Sequence, residues 1–294
     1  GILHDYYLSV TKNAQFCAQN TLYYRGTTED TMPAAYAHIS FGREVLKALP
    51  APLQTLVKEH FDAFALGVHG PDLLFYYRPL FANKTSAVGY RLHFEQAAPF
   101  FARAKTVFTA RGCRPGDAAY LFGYLCHFAL DSTAHPLVSE KLERSPEVTH
   151  TETESSFDRL LLEREGKDPL SADLTAHIRP SSRLADIAAA YYGLPERKLR
   201  KALSSILFYN RLLRAPRPAK RRLVCAVLRL TGNYREMHGM MIPYRKDERC
   251  ADSDKALCSA FEEAVPKACE LIASYEPYLR GEGELSPLLD RNYE

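Results

Sequence analysis

The chain has 294 residues, 46% of them hydrophobic and 25% charged, a composition that supports a folded core and excludes wholesale disorder. A formal net charge of +3 is too small for a committed nucleic-acid binder. Seven irregularly spaced cysteines with no CxxC pair signal neither a disulfide framework nor a thiolate zinc site.

Residues 1–20 include Asp5 and lack a basic start followed by an apolar run, so no secretory signal is expected and the chain is assigned to the reducing cytoplasm. The first methionine is Met32, and residues 1–31 read as an N-terminal extension of open origin. From there helical periodicity dominates. His38–Leu49 is expected to be a helix halted by Pro50 and Pro52. Pro52–Leu66 follows, opened by proline in its first turn. Next come Tyr90–Lys105 and Asp117–His135, the second with Asp117 as N-cap and Pro136 as its stop. His150–Glu165 ends at Gly166. Distal helices are expected at Leu184–Tyr192, Glu196–Leu213, Ala219–Leu230 and Asp252–Leu279, with Pro266 kinking or splitting the last. Segments 166–183 and 242–251 read as loops. No alternating β-branched run and no Asn-Gly or Asp-Gly hairpin turn occurs, so the fold class is all-α. No run of about 18 uncharged apolar residues is present, so no transmembrane helix is expected. Residues 32–180 form the expected core, with 181–294 packed on it in the same domain.

The chemistry concentrates in a few patterned residues. In GYLCHFALDSTAHP, His127, Asp131 and His135 stand at i, i+4 and i+8, one stripe of a helix. A rise of about 1.5 Å per residue separates the outer histidines by roughly 12 Å, too far for one zinc with ligands at about 2 Å. The geometry therefore suggests two metals with Asp131 between them, against the plain reading of a hydrogen-bonded polar stripe. HTETESSFD places His150 and Glu154 at i, i+4 on a second helix. Two helices each offering a His/carboxylate pair are what a helical bundle uses to hold metal between facing helices. GVHGPDLL supplies Asp72 in a Gly-Pro loop, where His69 reads as a bystander. His38 and His93 are lone histidines among apolar residues, each by itself more simply a half-buried core histidine. Tyr36, Tyr76, Tyr77 and Tyr90 lie near these positions; they read first as core aromatics, and secondarily as partners for a choline-like head group. Arg211, Arg214, Arg217, Lys220, Arg221 and Arg222 form a basic run around Pro216 and Pro218, read first as a solvated helix junction and secondarily as a patch for anionic lipid or a phosphate-bearing substrate.

Taken in order, His38, Asp72, His93, His127, Asp131, His135, His150 and Glu154 resemble the zinc-dependent phospholipase C family, whose fold is shared with fungal single-strand nucleases. The resemblance spans roughly residues 32–160 and looks most like unsecreted bacterial members that begin Met-Pro-x-x-Tyr-Ala-His. It implies an all-helical fold holding two or three zinc ions. By similarity, Asp72, His93, His127 and Asp131 hold one ion; His135, His150 and Glu154 a second; His38 and Asp131 contribute to a third. Secreted relatives complete the third site with a free N-terminal amine. Here only the amine of Pro33, were translation to start at Met32, could stand close to His38. Asp131 and His135 are spaced more tightly than in secreted relatives, and the β-sandwich of some toxins is missing.

The implied activity is phosphodiester hydrolysis by metal-activated water, phospholipase C-like, on a phospholipid or related substrate. Asp72 would be a ligand or would orient or deprotonate the water. A transient membrane-surface contact belongs to that reading. The alternatives are a single-strand nuclease, disfavoured by the modest charge and the absence of Trp, and a non-catalytic metal-binding protein. No nucleophile elbow and no P-loop competes.

Overall fold

A computed structural model describes residues 35–293, and among these there are helices, turns and no strand; the protein is all-α. In chain order the helices are α1 Tyr36–Ala48, α2 Ala51–Glu59, α3 Phe61–Gly67, α4 Lys84–Phe94, α5 Ala97–Ala110 and α6 Pro115–Arg144. They continue with α7 His150–Arg164, α8 Ser182–Tyr192, α9 Glu196–Leu213, α10 Pro218–Leu230, α11 Tyr234–His238 and α12 Ala251–Leu279. Short 3-10 turns cover Gly70–Leu74, Glu248–Cys250 and Pro287–Leu289. The N-terminal extension and the Pro33 amine lie outside the described residues. No described helix is long and apolar enough to cross a membrane.

The axis of the fold is α6. Every residue from Gly116 to Ser132 is buried, the pattern of a helix enclosed on all sides rather than amphipathic. It packs most extensively on α12 and α3, and also meets α1 and α7. The α3 crossing is glycine-dependent. A Cβ at Gly67 would stand 2.0 Å from the Tyr120 carbonyl oxygen, and one at Gly123 would stand 2.2 Å from that of Phe64. Backbone meets backbone here, so no rotamer change relieves an added methyl. Aromatic rings fill the space beside α6: Phe100 lies 4.4 Å and Phe101 5.6 Å from Tyr124 between centroids, the second edge-on, a geometry the ring quadrupole favours.

Several boundaries differ from expectation for identifiable reasons. Tyr90–Lys105 is two helices, α4 and α5, parted at Glu95–Gln96. Pro52–Leu66 is likewise two, with His60 between them. α6 does not stop at Pro136 but runs on to Arg144. A mid-helix proline frees the carbonyl four residues back, and the Ser132 carbonyl accepts a hydrogen bond from Arg291 Nη2 at 2.6 Å. A partner from the C-terminal segment thus replaces the lost one. α12 also passes through Pro266 unsplit. Asp117 is not the cap of α6; it lies inside the first turn, buried, bonded by Arg111, by Arg114 and by the Tyr191 hydroxyl at 3.1 Å.

Gly123→Ala should lower stability by about 1–3 kcal/mol, the usual cost of overpacking, although alanine in a solvent-facing helix position would gain about 1 kcal/mol. Urea denaturation followed by circular dichroism checks this; an unchanged midpoint would mean that α3 and α6 part freely.

Candidate metal centre

Asp72 and Asp131 are almost wholly buried, 4% and 3% exposed. Burying a carboxylate is costly unless it is paired or coordinates a metal, and imidazoles from three helices surround both. On α1, His38 Nε2 stands 3.7 Å from Asp72 and 3.6 Å from Asp131. On α4, His93 Nε2 lies 3.0 Å from Asp72 Oδ1 and 3.9 Å from Asp131 Oδ2. On α6, His127 Nε2 approaches Asp131 Oδ2 to 3.0 Å across one helical turn, and its Nδ1 is 3.9 Å from Asp72. One turn further, His135 Nε2 is 3.9 Å from the same Asp131 oxygen.

Ligand atoms of His38, Asp72, His127 and Asp131 all lie within 4.8 Å of one another, as do those of His135, His150 and Glu154. His150 and Glu154 face each other across one turn of α7 at 2.9 Å. The structure therefore brings all eight residues together, in two sets joined through Asp131. His38 belongs to the tight first set, whereas His93 joins it through Asp72. A cavity lined by His38, Asp131, His135 and Glu154, with Leu130 and Phe157 as apolar walls, touches members of both sets.

Local structure explains how each side chain is held. The Tyr36 and Ala37 backbone N–H groups at the start of α1 donate to Asp158 on α7, at 3.1 and 2.7 Å, which anchors the turn carrying His38. α7 begins with a capping box: Thr149 Oγ1 accepts from the Glu152 N–H, and Glu152 accepts from the Thr149 N–H. That occupies Glu152 structurally, together with an Arg249 pair at 3.3 Å, and leaves Glu154 to His150. His93 Nδ1 bonds the Gly89 carbonyl at 2.9 Å; since the carbonyl can only accept, Nδ1 donates there, which orients the ring and turns Nε2 toward Asp72. Gly70 has φ +46°, and a Cβ there would stand 2.2 Å from the His127 ring. The Tyr192 hydroxyl donates to the Gly70 carbonyl at 2.5 Å, pinning the turn that presents Asp72.

Charge coupling follows the geometry. Burial lowers the pKa of His38 despite attraction from Asp131. His127 is likewise disfavoured by burial, but Asp131 and Asp72 outweigh this and raise it. Asp131 is opposed by burial yet held well below the carboxylate range by His127, His135 and His38. Burial pushes Asp158 up to about 7 against its two N–H donors, with Glu154 adding to the effect.

The donor set fits zinc, which takes imidazole nitrogen and carboxylate oxygen. The orphaned atoms support this: His38 Nδ1 and both ring nitrogens of His127 are buried without a properly aligned hydrogen bond. The 3.0 Å approach of His127 Nε2 to Asp131 is thus an ion-pair distance rather than a directed bond. No cysteine enters either set.

A zinc dependent phospholipase C profile matches residues 37–199. The chain belongs to the zinc-dependent phospholipase C family. No curated protein and no solved structure was found to match it. The buried His/Asp cluster fits a metal-dependent phosphodiesterase of that family.

Sequence reasoning missed Tyr293. Its buried ring lies 5.2 Å from His93 and 5.7 Å from His127, and its N–H donates to the His93 carbonyl at 3.2 Å. No local spacing could reveal a residue folding back from the far end of the chain. His69, read as a bystander, is buried and meets His177 head to head, Nε2 to Nε2, at 2.6 Å. Tyr36 and Tyr76 are buried in the core, and the Tyr36 hydroxyl is committed to Glu165 at 2.6 Å.

Gly70→Ala should displace the His127 ring and weaken zinc retention by about 10–100-fold, the scale of lost outer-shell support, with the helical content retained. Competition against a chromogenic chelator measures it; wild-type affinity in the variant would show that the ring has room to move.

Proposed function

We propose that the protein is a phospholipase C-type hydrolase that cleaves the phosphodiester of a phospholipid, with His38, His93, His127, His135, His150, Asp72, Asp131 and Glu154 holding two or three zinc ions. The observation that supports this best is the small cavity that touches ligands of both sets, His38 and Asp131 of the first and His135 and Glu154 of the second. Bound zinc would supply Lewis acidity toward a phosphoryl oxygen and a lowered pKa for water. The chain's own residues do the rest. Asp131 lies between the two sets and fixes their separation. Asp72, faced by three imidazoles, is a shared ligand that also orients the attacking water and accepts its proton. As water oxygen bonds to phosphorus, the phosphorus–oxygen bond to the diglyceride alcohol breaks, and that alcohol takes up a proton from solvent. Leu130, Phe157 and the aromatic edge of Tyr293 keep the surroundings apolar, which strengthens every charge interaction within.

Hydrolysis of short-chain phosphatidylcholine, of other short-chain phospholipids and of single-stranded DNA by the zinc-loaded protein tests the proposal. Release of a phosphorylated head group, reduced at least about 100-fold in Asp72→Asn as expected for a lost general base, is the predicted result. Cleavage of DNA alone would assign the site to a nuclease, and a zinc-loaded protein inert on every diester would assign it a non-catalytic role.

A further inference from the structure

Basic charge is concentrated in one stretch of the chain. Residues 197–235 carry twelve Lys and Arg and no Asp or Glu, and with the whole chain at +3 the remainder is net −9. Within that stretch lies α10, which packs against α9 and α11. It turns Val224, Cys225 and Leu228 inward. It leaves Leu223, Val227 and Leu230 exposed at 66%, 49% and 88%. Spaced by four and three residues, these three form a single stripe. An ordinary solvated helix face carries polar residues there instead.

Exposed Arg222 and Arg229, seven residues apart, run along one side of the stripe. With Arg221 and Tyr244 they line a surface depression. Arg221 is held in place by donating to the Ile242 and Met241 carbonyls at 2.9 and 3.1 Å and stacks 4.4 Å over Tyr244. Arg229 stands 4.1 Å over the Tyr234 ring. Apolar residues flanked by positioned cations are the layout of a helix that lies in a membrane interface. Nucleic acid would be held by the cations and by stacking on aromatic faces and would leave an aliphatic stripe without a partner, and a second copy docked through this same face would set like charge against like.

We infer that α10 docks the protein on an anionic lipid surface, with Leu223, Val227 and Leu230 entering the headgroup–acyl boundary and Arg217, Arg222 and Arg229 meeting lipid phosphates. This goes beyond the catalytic reading and does not depend on turnover at the metal centre.

Cosedimentation of the full chain with phosphatidylcholine vesicles, with and without phosphatidylserine, tests it. Binding should require phosphatidylserine and weaken as salt rises. Arg222→Glu/Arg229→Glu should reduce it at least about tenfold, and Leu223→Ser/Leu230→Ser should do likewise. Both variants change exposed side chains and should keep the wild-type thermal transition and the wild-type zinc content; Arg222→Lys should keep binding. Failure of the wild-type protein to bind, equal binding to neutral vesicles, or undiminished binding by the leucine variant would overturn the inference. So would a dimer in light scattering that the leucine variant dissociates, which would assign the stripe to a second copy. Binding to a single-stranded oligonucleotide that responds to the arginine but not the leucine variant, without vesicle binding, would assign the face to nucleic acid.

Discussion

Two carboxylates placed where water is scarce set the terms for the rest of this structure. Asp72 and Asp131 could not stay buried and charged by themselves, since taking such groups out of water costs several kcal/mol each. The compensation comes from imidazoles on α1, α4 and α6, gathered at 3.0–3.9 Å. The compensation is incomplete within the chain. His127 is buried with neither nitrogen in an aligned hydrogen bond, and an arrangement of donors aimed inward without partners is what a metal-binding cage looks like. Repulsion among clustered ligands is the stability that such a protein forgoes to keep the cage ready.

Holding these groups in register takes much of the fold. α6 must be buried along its length to put His127 and Asp131 at the centre of the molecule, and the Gly67–Gly123 contact lets α3 approach closely enough for the following turn to deliver Asp72. α1 is tied to α7 by Asp158, which links the helix that carries His38 to the helix that carries His150 and Glu154. The C-terminal segment closes the arrangement. Arg291 satisfies the carbonyl that Pro136 leaves open, and Tyr293 lies against His93 and His127. The carbonyl freed within α6 is therefore answered by a residue more than a hundred positions away.

What was legible in the sequence and what was not divide along physical lines. Helical periodicity and i, i+4 spacing are local, and they suffice to place His127 beside Asp131 and His150 beside Glu154. Ordered spacing over residues 38–154 also carried the family resemblance that the profile match bears out. Isolated histidines such as His38 and His93 carried no local signal; only their place in the family order marked them. The errors were non-local. Pro136 reads as a stop, yet α6 runs on through it, with Arg291 answering the freed carbonyl. Asp117 resembles an N-cap until Arg111, Arg114 and Tyr191 are seen to enclose it. Tyr293 and the His69–His177 pair are products of tertiary folding alone. The basic run around Pro216 read as a junction because exposure of Leu223, Val227 and Leu230 is not visible in a charge pattern.

The central claim is that the buried acids and imidazoles are a zinc cage. The most direct measurement is the metal content of the purified protein by plasma mass spectrometry, before and after zinc loading, beside a His127→Ala/Asp131→Ala variant. The account predicts two or three zinc ions per chain, lost from the variant while its helical content remains. Protein that stays metal-free after exposure to zinc would contradict it, and would leave the cluster as a polar core without a cofactor.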